Sequence, residues 1–307
     1  MYFREKQRGM AEKDPPRGVL TLFRQGLINF YLDGLWIMRK LALPVTATTL
    51  VAGVFGAFLR WLQLRTIFEA ETGLARPRAG VSVIFVAYLA VFAAALICVL
   101  AFYIRGRMEK PLAAERALRA STAVPGILIW LLGAAFAAGG LVLLFSRKSA
   151  VTQLENVLET LFRAGCIIAG ACVLCLPQRG GEKRENAYPG RPASVVLTLF
   201  FCVWLVYSYV VNSRDPVYWD FLPEVLAVTA STLAFYYITA YFFGAAKPCS
   251  AVFWSHFAAL LGICTLFDPM DAATKLLHAA TAGTQLLLGF LLLENMREAP
   301  VGPEVSG

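Results

Sequence analysis

The stretch VSVIFVAYLAVFAAALICVLAFYI, Val81 to Ile104, runs for 24 positions without a charged residue. An α-helix rises 1.5 Å per residue, so about 20 mostly apolar residues cross the roughly 30 Å hydrocarbon core of a bilayer. The stretch therefore reads as a transmembrane helix. The chain around it reads the same way: 58% of its 307 residues are hydrophobic and its mean hydropathy is +0.63, whereas soluble domains are roughly 45–50% apolar.

Seven further stretches meet the same length criterion, at 41–61, 125–146, 157–177, 193–212, 219–244, 248–267 and 270–294. The expected fold class is all-α, a polytopic transmembrane helical bundle of about eight spans with an N-terminal interfacial helix. The first 19 residues are charged and hold no apolar h-region, so the first span, not a cleavable signal peptide, is the expected insertion signal.

Lys and Arg near the span ends set the orientation, because positively charged loops stay cytoplasmic. With the N-terminus inside, nineteen of the 28 Lys and Arg residues fall on the cytoplasmic side, eight on the outer side, and Arg163 within a span. Both termini are thus expected in the cytoplasm. The net charge of +8 is then a topology signal facing anionic lipid, and a nucleic-acid partner is not expected.

The expected organisation is a cytoplasmic tail and amphipathic interfacial helix over 1–40, a four-span half over 41–180, a cytoplasmic linker over 181–192, a second four-span half over 193–296, and a cytoplasmic tail over 297–307. Leu20, Phe23, Leu27, Phe30, Gly34 and Met38 recur at helical steps. That pattern fits either a helix lying on the inner leaflet or a helical extension of the first span. The linker, QRGGEKRENAYPGRP, carries the Gly, Pro and charge of a break. In the third span, Gly133, Ala137 and Gly140 form a small-residue stripe suited to close helix packing.

Most charges are explained by helix ends. Spans running from outside to inside begin outside, where the helix dipole favours acids; Glu155 and Glu159, Asp220 and Glu224, and Asp268 and Asp271 occupy those places. In DPMD, Asp268 is the expected N-cap, with Pro269 first in the helix and Asp271 third. The cations Arg60, Arg147, Lys148 and Arg214 lie where the odd spans end.

Two features exceed that explanation. Glu159 and Arg163 are four residues apart in the favourable acid-first order; Arg163 either snorkels to the interface or faces inward in a functional role. On the last span, Asp271, Lys275, His278 and Gln285 follow at intervals of four, three and seven on one face, and the preceding span carries His256. Counted from opposite ends, the two imidazoles are expected within about one turn of each other in depth, with Tyr236 and Tyr241 available to line the same cavity. A histidine pair with Lys275 and Gln285 suits proton relay or an anionic solute; otherwise each histidine bonds a neighbouring helix and fixes packing. The candidate polar pathway is thus Arg163, Glu159, His256, Asp271, Lys275, His278 and Gln285.

No catalytic residue, metal ligand or cofactor is expected. The Cys172 and Cys175 pair in CVLC has redox or metal spacing but lies within an apolar helix, and the chain lacks HExxH, GxSxG and a phosphate loop. The seven cysteines lie in or beside spans, so no disulfide is expected.

The segments LRWLQLRTIFEAETGL, Leu59 to Leu74, and PEVLAVTASTLAFYYITAYFFG, Pro223 to Gly244, resemble segments of multi-pass membrane proteins of anaerobic Gram-positive bacteria for which no activity is assigned. The resemblance implies a bacterial plasma-membrane location. For function, two classes are open, beside a third, an intramembrane enzyme whose site would be assembled from scattered residues. One is a non-enzymatic membrane module whose partners are the lipid bilayer and another membrane protein. The other is a small-solute or proton-coupled transporter using the polar stripe of the last span.

Overall fold

Eight helices are long and apolar enough to cross a bilayer: Leu41–Thr66, Gly80–Phe102, Ala123–Phe145, Gln153–Cys175, Gly190–Asn212, Phe221–Phe242, Pro248–Phe267 and Ala272–Asn295. The expected spans coincide with them to within a few residues, and the protein is an integral, multi-pass membrane protein. The computed structural model describes residues 17–67, 80–103, 114–120, 122–146, 152–179, 189–212 and 218–296, with backbone alone for 17–40, 103, 115, 178–179 and 218–220.

The first helix, α1, runs unbroken from Arg17 to Thr66, with Pro44 inside it. The amphipathic stretch is thus continuous in backbone with the first span, and its side chains lie outside the described residues. The remaining long helices are α2 (Gly80–Tyr103), α4 (Ala123–Phe145), α5 (Gln153–Cys175), α6 (Gly190–Asn212), α7 (Tyr218–Phe242), α8 (Pro248–Cys264) and α9 (Ala272–Asn295). A single turn of helix, α3 (Ala114–Ala117), precedes α4.

Local chemistry fixes several helix ends. Thr152 caps α5 by accepting from the Glu155 amide at 3.3 Å, and Pro248 opens α8. α7 stops at Gly244, whose φ of +74° only glycine adopts readily, and the Ala245 amide turns back to the Ala240 carbonyl at 2.9 Å.

Six helices form a ring in which α4, α5, α6, α7, α8 and α9 each pack on the next and α9 returns to α4. α1 lies outside the ring against α8 and α9, and α2 lies against α1. Burial follows from this layout: 72% of the apolar window of α9 and 67% of that of α8 are buried within the protein, against 17% for α2. α8 and α9 are covered by the ring on one side and α1 on the other, while α2 buries only one face, through Ser82, Phe85, Leu96 and Leu100, and presents the rest outward. Only an all-round apolar helix tolerates that position in lipid.

The main core contains Phe136, Phe162, Phe200, Phe201, Trp204, Phe235, Leu288 and Leu292. α4 and α5 meet backbone to backbone, since a Cβ on Gly170 would lie 2.7 Å from the Gly133 carbonyl oxygen and one on Gly140 would lie 2.8 Å from Cys166 Cβ. The small-residue stripe therefore serves packing, as its spacing suggests.

The two ends of the bundle differ. At the near end, where α5 finishes and α6 begins, Arg119–Ala120 (β1) pairs in parallel with Gln178–Arg179 (β2). There Asn295, at the end of α9, donates to the Ala117 and Arg119 carbonyls at 3.0 and 2.7 Å. Leu118 and Leu176 are fully buried beside this pair. Nothing in the hydropathy pattern announces this two-residue pairing. At the far end, where α1 finishes and α9 begins, lie most of the buried charges.

Candidate functional site at the far end of the bundle

The far end holds two polar clusters on opposite sides of the turn between α8 and α9. The first lies outside the ring. Arg60 of α1 donates through Nε to Asp268 Oδ1 at 2.5 Å and through Nη1 to Gln63 Oε1 at 2.9 Å, and Gln63 Nε2 donates to Ser82 Oγ of α2 at 3.0 Å. Arg60 is 0% and Asp268 1% exposed.

This corrects the helix-end reading of both residues. Asp268 terminates the 3₁₀ turn Thr265–Phe267, and the N-cap of α9 is Asp271, whose carboxylate accepts from the Thr274 amide at 2.9 Å. A buried guanidinium needs a carboxylate more than a helix start does, and Asp271 can serve the helix start three residues later. Sequence reasoning missed this network because Arg60 and Asp268 are each plausible, singly, as residues at helix ends.

The second cluster lies within the ring. Glu159 and Arg163 form an ion pair along α5, and Arg163 Nη2 also donates to the Ser146 carbonyl at the end of α4, 2.7 Å away. The arginine thus reaches toward the far end and satisfies an acid and a helix-terminal carbonyl at once. One turn along, Phe162 stacks on Tyr207 of α6 with ring centroids 4.8 Å apart and 15° between planes, and packs against Trp204 at 5.3 Å.

The Tyr207 phenol is within electrostatic reach of Glu159, Arg163, Asp271 and Glu224. Glu224, from α7, accepts from Ser208 Oγ at 2.8 Å. Trp204 in turn packs on the His278 ring at 5.0 Å. Four helices converge here, and a sequence period within one helix cannot reveal which helices meet.

His278 is 2% exposed and its Nε2 has no hydrogen-bond partner among the described residues. Two turns deeper on the same face, Gln285 is fully buried and neither end of its amide is bonded among the described residues. Native proteins bond the large majority of buried polar groups, so three orphaned atoms on one helix face are informative. Lys275 is half-buried. At 100° per residue it stands about 60° around α9 from His278, on the side of Ala282, which meets Gly262 of α8.

His256 is not part of this group. A Cβ on Gly289 would lie 2.6 Å from His256 Cε1, which places that imidazole beside Gly289. Gly289 is eleven residues beyond His278, about 16 Å along α9. The expected meeting of the two rings at one depth does not occur, because antiparallel packing of α8 on α9 matches Gly262 to Ala282 and Ser255 to Gly289. His256 Nδ1 lies 2.9 Å from the Val252 carbonyl, which can only accept, so Nδ1 carries the proton. In the neutral ring Nε2 then faces Thr46 Oγ1 of α1 at 3.5 Å. Tyr236 is 57% exposed and turned away from the ring, while Tyr241 is buried toward the near end.

All seven cysteines are free thiols, and among the described residues no three of His, Cys, Asp and Glu converge as a metal site. The class defined by these features is an integral membrane helical bundle with a polar, aromatic-lined layer at one end of a six-helix ring. No protein family, no curated protein and no solved structure matches this chain.

Proposed function

We propose that the protein binds, and moves across the membrane, a small polar solute taken up at the far end of the six-helix ring. The observation that carries this reading is the orphaned polar face of α9: His278 Nε2 and both ends of the Gln285 amide, deeply buried and unbonded among the described residues. Leaving such groups unpaired costs roughly 1–3 kcal/mol each, a cost more readily maintained where a ligand offsets it. Glu159, Arg163, Glu224 and Asp271 form the entry layer above them. With the N-terminus cytoplasmic, as the positive-inside bias favours, this layer faces outward across a plasma membrane.

A second reading, a non-enzymatic module that binds another membrane protein, draws on α2, the least buried of the eight spans. The two separate in one experiment. The tagged protein is purified in gentle detergent, alongside His278→Leu and Gln285→Leu, and co-purifying small molecules and proteins are identified by mass spectrometry. A small molecule retained by the wild type and depleted from both variants supports the solute reading. A stoichiometric protein partner that all three retain, with no such molecule, overturns it in favour of the module.

A further inference from the structure

Resting on the solute reading above, we infer that the aromatic layer formed by Phe162, Trp204 and His278 is a gate, closed in this structure, which parts with the rest of the fold intact and admits the solute to His278 Nε2 and Gln285. The layer is continuous across the ring. Phe136 of α4 meets Phe200 of α6 at 6.5 Å between ring centroids, and Phe200 stacks on Phe162 of α5 at 6.0 Å with 9° between planes. Phe162 meets Trp204 of α6 at 5.3 Å, and Trp204 meets the His278 ring of α9 at 5.0 Å. All five rings are buried.

Three helices bring the gate's rings to one level. Counted from the far end, Phe162 is nine residues from Gln153, Trp204 eight from Asn212 and His278 six from Ala272, about 14, 12 and 9 Å along their helices. Nearer the far end lie the ion pair of Glu159 with Arg163 and the bond from Ser208 to Glu224. Gln285 lies seven residues, about 10 Å, beyond His278 on the other side. A closed aromatic layer thus separates the polar groups of the entry from the deeper ones.

The two histidines of the chain differ in what holds them. His256 is anchored through Nδ1 to the Val252 carbonyl at 2.9 Å, and its Nε2 faces Thr46 Oγ1. His278 is comparably buried, yet its Nε2 bonds nothing among the described residues and its ring rests on Trp204. When the layer parts, Nε2 and the Gln285 amide gain hydrogen bonds that the closed packing denies them, which offsets the ring contacts given up. Parting of the layer is therefore a local opening, less costly than unfolding of the bundle.

The test treats the full-length protein in dodecyl maltoside with diethyl pyrocarbonate, which acylates an accessible, unprotonated imidazole nitrogen; peptide mass spectrometry reads the initial rate at each histidine. In the folded wild type His278 should react at least about tenfold faster than His256, because local openings are more frequent than global ones. Trp204→Ala should speed His278 by at least about a further tenfold and leave His256 unchanged. Trp204→Phe, which keeps a ring in the layer, should react as the wild type does.

His278 reacting no faster than His256 in the wild type overturns the gate, since the layer is then fixed core. An unchanged His278 rate in a Trp204→Ala protein that melts cooperatively overturns it equally; if that variant does not fold, the wild-type ratio decides alone. Co-purification separates the two readings. A small molecule retained by the wild type and lost from Gln285→Leu, with no selective reaction at His278, overturns the gate and leaves the solute reading standing. Selective reaction at His278 in a protein that retains no small molecule overturns the solute reading and leaves an opening with nothing to admit.

Discussion

Replacing Asp268 with leucine should destabilise the protein more than almost any other single change, although Asp268 pairs with Arg60 outside the ring and is not one of the groups on the α9 polar face. The carboxylate lies 2.5 Å from Arg60 Nε, and both side chains are sealed from solvent. Its removal takes the carboxylate from a buried guanidinium, whose Nη1 still donates to Gln63 Oε1 at 2.9 Å. Breaking a buried pair from one side costs about 3–5 kcal/mol, whereas replacing both partners by apolar groups of similar volume is often neutral or stabilising by about 1–4 kcal/mol. At roughly 2–4 °C per kcal/mol for domains of some 200 residues, the single variant should lose on the order of 10 °C. Arg60→Met combined with Asp268→Leu should recover most of that loss. Tryptophan fluorescence on heating in detergent reads both, since Trp61 adjoins Arg60 in α1. An Asp268→Leu melting temperature within 1–2 °C of wild type would sink the claim that the pair is buried, as would a double variant no more stable than the single one.

Gln285→Leu should raise the melting temperature of the ligand-free protein by removing an unbonded buried amide, by about 1 kcal/mol, while abolishing solute retention; loss of stability instead would show that the amide is bonded. Gly289→Ala should cost about 1–3 kcal/mol by overpacking, since its Cβ would meet His256 Cε1 at 2.6 Å, whereas Gly126→Ala, with nothing within 4 Å, should be neutral or stabilising; equal effects on thermal unfolding would contradict the packing of α8 on α9. Thr152→Ala should cost about 0.5–2 kcal/mol through loss of the α5 cap, measurable in the same melt, and Thr152→Ser should restore it.

The eight spans were legible in the sequence because crossing a bilayer is a local requirement: every backbone group must be bonded within its own helix, and the helix must be apolar over a fixed length. Residues 81–104 satisfy that without reference to anything else in the chain. The stripe of Gly133 and Gly140 was legible for a similar reason, since small residues at helical spacing declare a close contact even when the partner is unnamed. The ion pair of Glu159 with Arg163 could be read as well, being a matter of one turn of one helix.

What only the tertiary structure decided is which helices meet and at what depth. Asp268 and Asp271 both suit a helix start, and the choice between them was made by Arg60, 208 positions away in the chain. His256 and His278 look equivalent when counted from helix ends, yet the alignment of Gly262 with Ala282 and of Ser255 with Gly289 sets them about three turns apart. The convergence of Glu159, Tyr207, Glu224 and Asp271 from four helices follows from ring closure. Hydropathy is a property of single segments, and in lipid it does not distinguish one apolar neighbour from another; packing and the pairing of buried polar groups make that choice.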